Sequence, residues 1–106
     1  MNSLTKWVPI VLALVALPAS AGDVAAGKAK SATCAACHGA DGNSPTPDFP
    51  KIAGQHQDYL MRALLDYKNG NRKNPIMQGQ VANLSKADLA DLAAWFASRK
   101  GLHTVR

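Results

Sequence analysis

Apolar positions along this chain fall into one dense block interrupted by Pro9, two helical stripes and long polar intervals. The block runs from Trp7 to Leu17. Further on, Leu60, Met61, Leu64 and Tyr67 recur at three- and four-residue spacing, which predicts a helix from about Gln55 to Asn69. Asp58 sits four residues before Arg62 on that helix, and Asn69-Gly70 supplies its stop. The second stripe is Leu89, Leu92, Ala93 and Phe96, with Trp95 at its edge. Ser85-Lys86-Ala87-Asp88 opens it in the manner of a capping box, with Asp where Glu is usual; Leu84 is placed to staple against Leu89, and Gly101 closes the helix.

A weaker helix is expected from an Asp23 N-cap through the alanines to about Cys34. Its apolar stripe is poor, so it must pack through small residues. Gly27, costly inside a helix, is either tolerated or lets a neighbouring helix come close. From Gly39 to Gly54 the composition turns to Gly, Pro, Asp and Asn, which predicts turns and an extended loop. Residues 71–83, with Pro75 and Gly79, read as irregular. No convincing strand follows residue 30 and no internal repeat is present, so the fold class is all-α, with three to four helices.

The block at the start has a different meaning. Lys6, about 11 apolar residues and Pro18-Ala19-Ser20-Ala21 together describe a secretory signal peptide over residues 1–21, cut after Ala21. A retained anchor is the alternative, although the run falls short of the ~20 residues that span a bilayer. Residues 22–106 then form one small domain, short of apolar core on its own and in need of a staple.

Candidate chemistry centres on Cys34-Ala35-Ala36-Cys37-His38, which contains both cysteines of the chain. C-x-x-C-H is the attachment string of a c-type haem: two thiols add to the porphyrin vinyl groups and the adjacent imidazole reaches the iron. One helical turn presents both sulfurs to one edge of the macrocycle. Three rivals compete with it. A thioredoxin-type pair needs a βαβ context. A structural zinc site usually needs four ligands, and His38 directly after Cys37 is poorly spaced for one. A Cys34–Cys37 disulfide would close too small a loop to stabilise much. A covalent haem would also supply the missing core, and a loop carbonyl near Pro45 or Pro47 could accept the second ring N–H of His38.

The chain carries a formal charge of +5. Loss of Lys6 lowers this by one, and two haem propionates by up to about two more. The remaining mild basic excess suits docking to an acidic protein patch or loose contact with anionic lipid, and ordinary solubility explains it equally well. There is no dense Lys/Arg stripe, so nucleic acid is not an expected partner.

What fills the face of the haem opposite His38 decides between electron transfer and chemistry on a bound ligand. Candidates are Met61, Met77, His56 and His103. Met61 lies on a core stripe; His56 and His103 read as exposed polar residues. Met77 stands alone in a polar stretch, Lys73 to Gln80, where a thioether has no packing reason to be, and far enough beyond His38 for the chain to pass round the haem edge.

Residues 22–106 resemble a class I cytochrome c, and specifically one haem domain of the bacterial cytochrome c4 group and its single-haem relatives. The likeness runs through Gly22-Asp23 with Gly27-Lys28, Cys34 to Ser44, Phe49 to Gln55, Tyr59-Leu60, Gly70-Asn71-Arg72 and Met77 to Ser85 with Asp88. The resemblance implies covalent haem c on Cys34 and Cys37, His38 as proximal and Met77 as distal ligand, and a first and last helix crossing near Gly27 and Trp95/Phe96. It departs from the pattern in two respects. Cytochromes c4 carry two such domains where this sequence has one C-x-x-C-H, and a second methionine found in some relatives is here Gln80.

These readings converge on a periplasmic one-electron carrier, not itself an enzyme. Its partners would be redox proteins: a quinol-oxidising complex or dehydrogenase as donor, a terminal oxidase or reductase as acceptor. Lys28, Lys30, Lys51, Arg72 and Lys73 are the candidate docking cations. No stable membrane insertion is expected, and the state expected is monomer or weak dimer. A haem subunit of a larger oxidoreductase, and a haem enzyme or gas-binding sensor, are the alternatives.

Overall fold

The computed structural model of the chain describes Pro9 and residues 22–105; the signal segment expected over 1–21, Pro9 aside, lies outside the described residues. All regular structure among them is helical: α1 (Val24–Lys30), α2 (Ala32–His38), α3 (Gln57–Asn69), α4 (Pro75–Val81) and α5 (Lys86–Ala97). The all-α class is as expected, while the count exceeds three to four because two short helices were not resolved in the pattern. The helix expected from Asp23 to about Cys34 is two helices hinged at Ser31, whose hydroxyl donates to Lys28 O at 2.8 Å. The second of these runs on to His38. Within the stretch read as irregular, Pro75 occupies a first-turn position, where its missing N–H costs nothing, and α4 follows it.

The core is built on α5. Leu89, Leu92, Ala93 and Phe96 are buried, and so are Ala90, Ala94 and Trp95, so the helix is covered on more than the one expected face. Its start is the predicted capping box: Asp88 N–H donates to Ser85 Oγ at 3.1 Å and Ser85 N–H to Asp88 Oδ2 at 2.9 Å. Its end differs from expectation. The helix stops at Ala97 with Ser98 as cap, and Gly101 serves a later contact instead: a Cβ there would lie 2.6 Å from Asn43 Oδ1 and 2.7 Å from Ala53 Cβ.

α1 crosses α5 at Gly27, where an added Cβ would fall 2.0 Å from the Asp91 carbonyl oxygen and 2.8 Å from Trp95 Cβ. Of the two roles open to that glycine, close approach is the one the fold uses. Asp23 caps α1 as predicted, accepting from Ala25 and Ala26 N–H. Lys28 and Arg99 flank the buried Trp95 ring, at 5.6 and 3.9 Å from its centroid. α3 packs on the other side of α5 through Leu60, with Met61 and Leu64 partly buried against the same cluster. Gly70, at φ +80°, ends α3 in the left-handed region. Arg62 pairs one turn onward with Asp66 at 3.2 Å.

The Gly- and Pro-rich loop between α2 and α3 is drawn back on itself. Gly42 C=O accepts from both Ile52 and Ala53 N–H, at 2.9 and 3.1 Å. Gly42 has φ +84°, and a Cβ there would meet Phe96 Cδ1 at 2.9 Å. Gly54 N–H then donates to Phe96 O, and Leu102 N–H to Ala53 O at 2.7 Å, which ties both the loop and the tail to the end of α5.

Candidate haem site

α2 sets the first half of the site. Cys34, Cys37 and His38 stand at i, i+3 and i+4 on one helix face. All three line a cavity of about 380 Å³ whose walls are largely apolar, with Ile52, Leu60, Leu64, Leu92 and Phe96 among them. The two thiols are free. Burial pushes the Cys34 thiol above its ordinary range, the opposite of the lowered pKa that marks a reactive redox cysteine. Among the described residues no three His, Cys, Asp or Glu side chains gather to hold a metal ion by themselves.

His38 is buried, with 8% of its surface exposed, and its Nδ1 lies 2.7 Å from Pro50 O. A carbonyl can only accept, so Nδ1 carries the proton and Nε2 is left as the ring's basic nitrogen. The expectation of an orienting loop carbonyl holds, but the residue is Pro50, not Pro45 or Pro47. The Gly42 pairings with Ile52 and Ala53 explain this, because they bring the end of the loop beside α2.

The second half comes from α3, α4 and the loop between them. Of the four sulfur and imidazole candidates, Met77 alone lines the cavity. Met61 faces the α3–α5 core, His103 is exposed in the tail, and His56 borders a separate surface groove with Asp58 and Arg62. Tyr59, Tyr67, Arg72 and Asn74 also line the cavity. The Arg72 guanidinium lies 5.0 Å from the Tyr67 ring centroid, and a hydrogen bond with Tyr59 raises its pKa. Of the five cations singled out in the sequence, Lys51 and Arg72 border the cavity. Lys30 is paired with Asp88 and Asp91, Lys28 lies over Trp95, and Lys73 is exposed outside the cavity wall.

Sequence reasoning missed Asn74 and gave no role to Pro50 or Tyr59, which it quoted only within the family likeness. Asn74-Pro75 carried a usable signal, since an Asn N-cap followed by Pro at the first helical position is a common helix start. Nothing local marked Pro50 above the other prolines.

The donor set fits a c-type haem: two thiols one helical turn apart, a buried imidazole with its second nitrogen engaged, and a soft thioether, all on the wall of one apolar cavity. The profile of the family described as Cytochrome c matches residues 24–100. The chain belongs to the cytochrome c family. It is 54% identical over 100 residues to cytochrome c4 of Pseudomonas aeruginosa, a match covering 94% of this chain and 50% of that protein. It is 41% identical to cytochrome c-554(548) of Halomonas halodenitrificans, covering 76% of this chain and 100% of the relative. The crystal structure of reduced recombinant cytochrome c4 from Pseudomonas stutzeri superposes with a TM-score of 0.73 at 49% identity, over 76% of this chain and 47% of that one. The chain thus spans about half the length of the cytochromes c4 it matches. Its fold is the all-α class I cytochrome c fold, and family membership with the Cys34-x-x-Cys37-His38 string assigns it one covalent haem c.

Proposed function

We propose that this cytochrome is a periplasmic one-electron carrier with its haem linked to Cys34 and Cys37 and its iron held by His38 and Met77. The observation that carries the reading is that Met77, from a helix distant in sequence, lines the same cavity as the α2 cysteines and histidine. When bound, the haem supplies an Fe(III)/Fe(II) couple whose potential a histidine–methionine pair raises. Pro50 O holds the His38 ring in one tautomer and orientation, so that its basic nitrogen is fixed for the metal. Met77, on the cavity wall, would offer its thioether to the iron in place of an outside ligand, which would favour electron passage over substrate chemistry. Apolar side chains make up most of the wall against which the haem would lie.

Lys51 and Arg72 outnumber Asp48 among the charged side chains on the cavity wall, a small positive excess that would suit brief contact with acidic partner surfaces. A quinol-oxidising complex or dehydrogenase would serve as donor, and a terminal oxidase or reductase as acceptor. Residues 1–21 act as a cleaved export signal in this reading.

The ferric protein is expected to show the weak near-infrared sulfur–iron charge-transfer band, and the Met77→Ala variant to lose it and gain carbon monoxide binding in the ferrous form. A band that survives in the variant overturns the ligand pair. Mass spectrometry of the exported protein is expected to give residues 22–106 plus one haem; a retained leader would instead mean an anchor.

A further inference from the structure

Met77 sits in the first turn of α4, the end of that helix that faces the haem cavity. Val81, the buried residue of α4, is its last position, whereas Ile76 and Met77 in the first turn line the cavity. First-turn N–H groups have no acceptor within their own helix. Pro75 has no N–H to satisfy, and Asn74 Oδ1 accepts the next two, from Ile76 at 3.1 Å and Met77 at 3.2 Å. Asn74 O takes the first regular helical bond, from Gln78 N–H at 2.9 Å. A single side chain on the cavity wall therefore ties down the backbone of Met77.

The geometry points to Asn74 as the positioning residue for Met77: its cap keeps the first turn of α4 closed and so sets how readily an outside ligand displaces the thioether. This rests on Met77 being the axial ligand proposed above. Replacing an Asn cap by Ala shifts the closing of a first turn by about five- to tenfold. Where opening of the turn precedes displacement, the apparent affinity of a competing ligand rises by the same factor. A purely structural cap would lower overall stability and leave that affinity alone.

The test titrates the ferric, haem-loaded protein with imidazole and follows loss of the sulfur–iron band, alongside the thermal midpoint from far-ultraviolet circular dichroism. Asn74→Ala is expected to bind imidazole about five- to tenfold more tightly than wild type, and Asn74→Asp and Asn74→Ser, which keep a capping oxygen, to stay within about twofold of it. An unchanged affinity in Asn74→Ala, or an equal rise in all three variants, overturns the inference while leaving the ligand pair standing. A band that persists in Met77→Ala overturns both. Should the alanine variant fail to accumulate, Asn74→Gln, whose amide is displaced by one methylene from the cap position, takes its place with the same expected rise.

Discussion

Lys30 answers two carboxylates at once. Its ammonium lies 2.8 Å from Asp88 and also contacts Asp91, whose second oxygen accepts Asp23 N–H at 2.8 Å. The Lys30 contact, with the Ser85 N–H behind it, holds Asp88 down to about 2 from 3.8, and Asp91 is lowered chiefly by the same lysine. Lys30 is raised above 10.5, by Asp88 first and Asp91 second. A carboxylate with a depressed folded pKa stabilises fully above its unfolded value and loses that contribution as pH falls through the folded one. The cluster's stabilisation is therefore complete above about pH 4 and fades towards pH 2. For Lys30 the sign is opposite: its contribution is present below 10.5 and lost as pH rises beyond it. Thermal midpoints measured from pH 5 to 2 are expected to fall less steeply in Lys30→Met than in wild type, with Asp88 still held by Ser85 N–H; parallel slopes would exclude the lysine as the cause. The Ser85 box was legible because its partners lie within one turn. Lys30, more than fifty residues from both carboxylates, was not.

At the level of elements, the α1–α5 crossing depends on the lack of a side chain at Gly27. The nearest atom to an added Cβ is the Asp91 carbonyl oxygen, which cannot yield without moving α5. Gly27→Ala is expected to destabilise by at least about 1–3 kcal/mol despite better helix propensity, as overpacking does. At roughly 4–8 °C per kcal/mol for a domain of this size, the melting temperature registers it; an unchanged or raised midpoint would mean that the helices separate freely. The alanines and the weak stripe of α1 already implied packing through small residues, and the family resemblance supplied the partner, a crossing with the last helix near Trp95 that the structure shows. α4 escaped the pattern because its helix rests on an Asn-Pro start and one buried valine instead of an apolar face. The break at Ser31 escaped because alanine-rich sequence favours helix on both sides of it.

For the whole molecule the consequential division is between cations paired at the α1–α5 seam and cations that border the haem cavity, the candidates for docking. Lys30 and Lys28 belong to the α1–α5 seam, while Lys51 and Arg72 border the haem cavity. Electron exchange with an acidic partner oxidase is expected to slow as ionic strength rises, because exposed charges are screened beyond about 10 Å at 0.1 M salt. Lys51→Glu is expected to lower the rate at low salt and flatten its salt dependence, and Lys30→Met to leave that rate unchanged while lowering stability. Equal loss from both variants would mean that overall charge, not a local rim, governs the encounter. The candidate docking cations could be enumerated from the sequence but not sorted, since sorting requires knowing which helix each one meets.

By itself the sequence determined what is encoded over a few residues: the haem attachment string, the caps at Asp23, Ser85 and Gly70, and the all-α class. These follow from spacing and local hydrogen bonding, which act within one or two turns. Tertiary structure decided what depends on distant segments meeting. It gave His38 to Pro50 O, brought Met77 and neither Met61, His56 nor His103 to the cavity, withdrew Lys30 from the surface set, and placed Gly27 against α5. The outcomes for Pro50, Lys30 and Gly27 depend on which distant segments meet, whereas Met77 already stood apart in the sequence through its polar surroundings. That meeting is set by the packing of α5 against α1 and α3 and by the loop drawn back by Gly42.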